Sequence, residues 1–126
     1  MTGRIPNDLV WLPLPFVVNY SDYGAPFPPC EYAMDAFGVV HLHGLFKYAT
    51  LGSYASWGPS HTLPVGFRPR LNEIFHPMGY SASAQALAMR LDVLTDGTII
   101  GNGAAGQNWA GNWQSLSGVS FQAAPL

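Results

Sequence analysis

Charge is scarce in this chain. Only 10% of its 126 residues are Asp, Glu, Lys or Arg, where about 25% is usual. The five basic residues are Arg4, Lys47, Arg68, Arg70 and Arg90. Only Arg68 and Arg70 stand close together, too few to neutralise a phosphate backbone, so nucleic-acid binding is not expected. Cysteine is scarcer still. Cys30 is alone, which excludes an internal disulfide and a thiolate metal cluster and leaves it as a small apolar core residue. Apolar runs of membrane-spanning length are missing, so no membrane insertion is expected. The first residues lack the basic-then-apolar pattern of a signal peptide. No amphipathic helix is legible, because 14 Gly and 11 Pro are spread along the whole length.

Catalytic signatures are missing as well. There is no H-E-x-x-H, G-x-S-x-G or P-loop pattern. Residues 101–106 match G-x-G-x-x-G, but Gln107-Asn108-Trp109-Ala110 does not open a helix and no acid follows Asp96. That match is chance, and no cofactor is expected. Asn19-Tyr20-Ser21 matches a glycosylation sequon too short to be informative. Of the seven carboxylates, Asp96 belongs to a turn and Asp92 to a pair with Arg90. Asp22, Asp35 and Glu73 are the ones a two-carboxylate glycoside hydrolase would have to use. His41 and His43 stand at i, i+2, pointing the same way on a strand. Three such pairs around a threefold axis could ligate one ion, but two histidines on a strand face need no metal, and no metal site is assigned.

What is present reads as short strands. Gly38–Lys47 alternates, with Val40, Leu42, Gly44 and Phe46 on a core face and Val39, His41, His43, Leu45 and Lys47 opposite. Tyr48–Leu63 reads as a long loop ending in a type I turn at Leu63-Pro64-Val65-Gly66. Leu71–His76 is a short strand stopped by Pro77. Gln85–Leu94 alternates again, and Asp96-Gly97 turns it into a return strand from Thr98. Trp113–Phe121 is the last strand. Leu9–Val18 holds Pro13 and Pro15 and reads as an edge or wrapping segment. Together these predict an all-β domain, an antiparallel β-sandwich or jelly roll of about eight to ten short strands. It would span residues 11–126, with 1–10 as an arm leading in. Low charge beside 48% apolar residues predicts that part of the surface is covered by another copy or by neighbours.

Loop aromatics carry the binding signal. Tyr48, Tyr54 and Trp57, followed by His61, fall in the first long loop; Asn108 and Trp109 fall in the Gly/Asn loop after the hairpin. Exposed rings beside amides and hydroxyls suit sugars, which present C–H faces ringed by hydroxyls. Trp11 and Trp113, next to strand patterns, read as core.

Four segments then occur in a telling order: Gly38-Val39-Val40-His41-Leu42-His43-Gly44, Leu63-Pro64-Val65-Gly66-Phe67-Arg68-Pro69, Arg90-Leu91-Asp92-Val93 with Asp96-Gly97, and Trp113-Gln114-Ser115-Leu116-Ser117-Gly118-Val119-Ser120-Phe121. This series resembles the C-terminal head, or receptor-binding, domain of phage tail fibre and minor tail proteins. The resemblance implies a homotrimeric β-sandwich at the virion tail tip. It would be extracellular during attachment, with residues 1–10 connecting to a fibre. Its implied partners are other copies of itself, other phage tail proteins and a glycan or protein receptor on the bacterial host. It implies no enzyme. A purely structural tail or decoration component and a glycan depolymerase are the alternatives. The shared motifs are scaffold, so they transfer no binding residue.

Overall fold

Prolines and glycines cut the chain into strands of two to five residues. The computed structural model describes residues 9–17, 20–48, 58–81, 85–102 and 113–126. In chain order its strands are β1 (Leu12–Pro13), β2 (Tyr20–Asp22), β3 (Glu31–Met34), β4 (Val39–His43), β5 (Leu45–Tyr48), β6 (Gly58–Thr62), β7 (Glu73–Phe75), β8 (Met78–Ser81), β9 (Gln85–Ala88), β10 (Arg90–Val93), β11 (Thr98–Asn102), β12 (Trp113–Ser115) and β13 (Ser120–Gln122). They form three antiparallel sheets, ordered β1-β3-β4-β13, β6-β11-β10-β7 and β2-β5-β12-β8-β9. No helix occurs among the described residues.

The strands outnumber the eight to ten expected because three alternating segments are each divided between two sheets. Gly38–Lys47 becomes β4 in the first sheet and β5 in the third. The break is Gly44, at φ 122°, where a Cβ would run into the backbone of Pro29 and Cys30. Leu116 N donates to Gly44 O (2.8 Å) and Leu45 N donates to Pro28 O (3.2 Å), so three chain segments meet there. Trp113–Phe121 divides likewise, giving β12 to the third sheet and β13 to the first. Gln85–Leu94 divides at Met89, giving β9 to the third sheet and β10 to the second. Side-chain alternation survives the breaks at Gly44 and Met89, where Val40, Leu42 and Phe46 are buried, as are Met89, Leu91 and Val93; in Trp113–Phe121 it shifts by one residue at the Ser117-Gly118 turn, with Gln114 and Leu116 buried before it and Val119 and Phe121 after.

One core therefore draws on all three sheets, joining Tyr32, Val40, Leu42 and Phe121 to Leu91, Val93, Ile99 and Phe46. Cys30 lies in it, and burial, then the nearby Asp22 carboxylate, pushes its thiol pKa far up. Asp96-Gly97 turns the β10–β11 hairpin as expected, with Leu94 N donating to Thr98 O (2.9 Å) and Gly97 at φ 92°. The turn expected at Leu63–Gly66 is displaced by one residue. Phe67 N donates to Pro64 O (3.2 Å), and Gly66, at φ 98°, takes the third position, as a type II turn requires. Leu63 is excluded from the turn because its side chain is fully buried and its N–H donates to Gly97 O (2.8 Å).

Gly44→Ala should lower stability by about 2 kcal/mol or more, since it adds a backbone clash to a strained φ. Urea denaturation checks this; a shift below about 0.5 kcal/mol would mean that the crossing point is looser than drawn.

Candidate functional site

Tyr54, Trp57, Asn108 and Trp109 lie outside the described residues. Tyr48 ends β5, and its partner across the ladder is Tyr20. The strands bounding these segments are neighbours. Trp113, where β12 begins, faces Lys47 of β5 and Tyr80 of β8, while Gly58, where β6 begins, faces Gly101 near the end of β11. Segment 49–57 thus joins β5 to β6 and segment 103–112 joins β11 to β12, with β5 paired to β12 and β6 paired to β11.

On the third sheet, Phe46 and Gln114 point inward and are fully buried. Alternation then turns Leu45, Lys47, Trp113 and Ser115 outward. Tyr23, Phe27, Leu45, Met78, Trp113 and Ser115 line an open hollow of about 340 Å³ there. The Tyr23 and Phe27 rings meet edge-on at 5.5 Å, and Tyr80 lies parallel to Trp113 at 6.0 Å. Lys47 Nζ sits 5.7 Å above the Tyr23 ring. Tyr23, Phe27 and Met78 keep 40%, 48% and 52% of their surface, so these side chains are left accessible rather than consumed by packing. Tethered aromatic faces with an ammonium and a hydroxyl at the rim can stack a sugar ring and hydrogen-bond its edge.

Trp113 is consequently not core, because its strand points it out of the sheet. Trp11 is not core either; its ring stacks on His43 at 3.7 Å on the outer face of the first sheet. Sequence reading missed this hollow because Tyr23 and Phe27 come from a proline-rich connection far in sequence from Met78 and Trp113. Alternation around Phe46 does mark Leu45 and Lys47 as outward, but nothing local joins them to Tyr23, Phe27 or Met78.

His41 and His43 do share one outward face, but each already has a carboxylate partner. His41 Nε2 lies 2.9 Å from Asp35 Oδ2 and His43 Nε2 lies 2.7 Å from Glu31 Oε1. The His41 ring, then the Val39 amide, hold the Asp35 carboxyl below its usual range. Among the described residues no group of three or more His, Cys, Asp or Glu could hold a metal. Asp22 Oδ1 accepts from Cys30 N (2.7 Å), and Asp35 Oδ1 accepts from Phe37 N and Val39 N. Among the described residues no carboxylate lines the aromatic hollow. Asp92 pairs with Arg90 as expected, through two bonds of 2.7 and 2.9 Å.

His61 departs from its expected place. It lies in β6 rather than in a loop and is fully buried, with rings of Phe16 at 4.5 Å and Phe46 at 4.9 Å. Its Nδ1 bonds Ser60 Oγ (2.8 Å), while Nε2 has no partner among the described residues. The fold closes over it, because Ser60 and His61 both enter the interior where β6 meets β11, at a register shift. Burial pushes its pKa down to about 3 from an ordinary 6.5. The unfolded chain then takes up a proton near pH 6.5 that the folded chain refuses until about pH 3. This costs stability on acidification at up to about 1.4 kcal/mol per pH unit. Asp35 and Asp96, also held low, act only below about their ordinary 3.8. Between pH 6.5 and 4.5 the wild type should therefore lose about 2 kcal/mol more than His61→Phe. Urea titrations of both across that window check this, and parallel curves would refute it.

No protein-family model and no curated protein matches the chain. A solved structure does: the head domain of phage bIL170, from work asking whether the receptor-binding domains of lactococcal phages share a common fold. It superposes with a TM-score of 0.58 at 16% identity, covering 93% of this chain and 100% of that one. The protein is thus an antiparallel all-β domain with the fold of a phage head domain.

Proposed function

We propose that this chain is the head domain of a phage, or phage-tail-like particle, that attaches it to a bacterial host by binding a surface glycan as a homotrimer. The observation that carries the reading is the likeness to the bIL170 head domain, which runs over nearly the whole chain. Attachment does not require catalysis, and the binding chemistry rests on aromatic faces. The hollow of Tyr23, Phe27 and Trp113 would take the C–H face of a sugar, with Lys47 and Ser115 reaching its hydroxyls. Tyr54, Trp57, Asn108 and Trp109, on segments joined to the neighbouring strand ends, would extend the site. Three weak sites on one rigid tip gain avidity without strong single contacts.

Trimer formation, or docking on other tail proteins, is favoured by a second surface. Phe37, Val65, Leu71 and Leu126 keep 86%, 70%, 75% and 100% of their surface. Apolar side chains so exposed, in so uncharged a chain, mark contact surfaces. A purely structural tail role would use this surface alone.

Two measurements test the reading. Light scattering should give about three times the 13.6 kDa chain mass; a stable monomer would remove the trimer. Trp113→Ala should weaken binding of the labelled domain to host cells about tenfold or more, and Trp57→Ala or Trp109→Ala should weaken it too. Wild-type binding that survives in all three folded variants would remove the glycan site, while a wild type that binds no host strain would leave the structural role.

A further inference from the structure

Among the described residues β7 ends the second sheet and β13 ends the first. The two ends are joined. Pro69 pairs with Ala123, Ala124 N donates to Arg68 O (2.7 Å), and the rings of Phe75 and Phe121 lie 6.4 Å apart. Arg70, Leu71, Asn72, Glu73 and Gln122 line an open hollow of about 370 Å³ on this seam. Gln122 Nε2 donates to Phe37 O (3.1 Å), which sets the β3–β4 turn and its exposed Phe37 beside the hollow. Arg68 is already committed, its Nε donating to Leu63 O (2.9 Å), and Asn72 Oδ1 accepts from Thr95 N (2.9 Å). Arg70 and Glu73 differ from these. They carry opposite charges and line one hollow, yet neither forms an ion pair with the other or with any described residue. Between them Leu71 is largely exposed.

We infer, on the homotrimer reading already proposed, that Arg70, Leu71 and Glu73 form the contact between copies of this chain. Each copy's Arg70 meets the Glu73 of the next around a threefold axis, and the three Leu71 side chains pack together between these pairs. A foreign protein would have to bring both an anion and a cation at the right separation, whereas a second copy carries them already. In a closed ring the cation of each copy faces one neighbour and its anion faces the other, so no charge is left over. That suits two opposite charges held side by side on one seam without pairing within the chain.

The two kinds of side chain do different work. Burial of Leu71, with Phe37 beside it, supplies the attraction, because apolar surface leaves water. A solvent-exposed ion pair adds little by itself. At the edge of a buried apolar contact the same pairs fix which surfaces face each other and penalise misalignment, since like charges would then meet. The aromatic hollow of the third sheet shares no lining residue with this seam, so one copy can hold its neighbours and a sugar at once.

Light scattering of the full chain over a dilution series tests this. Wild type should be a trimer. Arg70→Glu and Glu73→Arg should each raise the concentration of half-dissociation about tenfold or more, by setting like charges together. The double variant exchanges the two charges and should return to within about threefold of wild type. A trimer that tolerates both single reversals, or single losses that the double variant does not recover, overturns the contact and leaves the trimer standing. A wild type that stays monomeric overturns the contact and the trimer together, and binding of the labelled domain to host cells, measured alongside, shows whether attachment survives without them. Should either reversal fail to fold, Leu71→Asp decides, and a trimer that dissociates no more readily in it overturns the contact.

Discussion

The close approach of backbones at Gly44 is the contact on which the rest of the molecule hangs. There the chain leaves the first sheet and enters the third without a loop, bonded by Leu116 N at its own carbonyl and by Pro28 O at the next amide. The site has no room for a Cβ, because Pro29 and Cys30 pass directly against it. The bend lets Val40 and Leu42 on one side and Phe46 on the other face the same interior. It also fixes what looks outward: the histidines of β4 go to one outer face and Lys47 of β5 to another.

The outer faces differ in kind. That of the first sheet is polar and self-satisfied, with each imidazole paired to a carboxylate across or beside its strand. That of the third sheet is aromatic and open, and stays concave because Phe27 rises from the connection after β2 to form a wall. A ligand gains more from the second, where rings are held in place yet unspent. The interior also admits polar side chains, Ser60, His61 and Gln114 among them. The Gln114 amide has no partner at either atom among the described residues, and a Cβ on Gly101 would come within 2.7 Å of its Oε1. With His61 beside Phe46, this puts two under-satisfied side chains between the second and third sheets. Unmade bonds there cost on the order of 1–3 kcal/mol each.

Much of the fold was legible in period-2 alternation. Val40, Leu42 and Phe46 are inward by the pattern alone, and all are buried; Leu91 and Val93, which the pattern puts on one face, are buried as well. The hairpin at Asp96-Gly97 and the Arg90–Asp92 pair were legible too, because both are made within a few residues. Strand breaks were not, since alternation continues through Gly44 and Met89 whether or not the backbone changes sheet. Nor was the candidate hollow, whose walls come from β5, β8, β12 and the connection after β2. His61 shows the same limit: beside a Ser/Gly-rich stretch it reads as loop, and only the pairing of β6 with β11 takes it inside.

Sequence by itself determined the class of structure and the chemistry available. Scattered Gly and Pro forbid long helices, alternation requires sheets, and charge is scarce where aromatic rings are abundant. Tertiary structure alone decided which of those groups are on offer. It buried His61, turned Trp11 and Trp113 outward, gave His41 and His43 their carboxylates, and gathered Tyr23, Phe27 and Trp113 into one hollow. The reason is that exposure and partnership are set by long-range strand pairing, which local pattern does not encode.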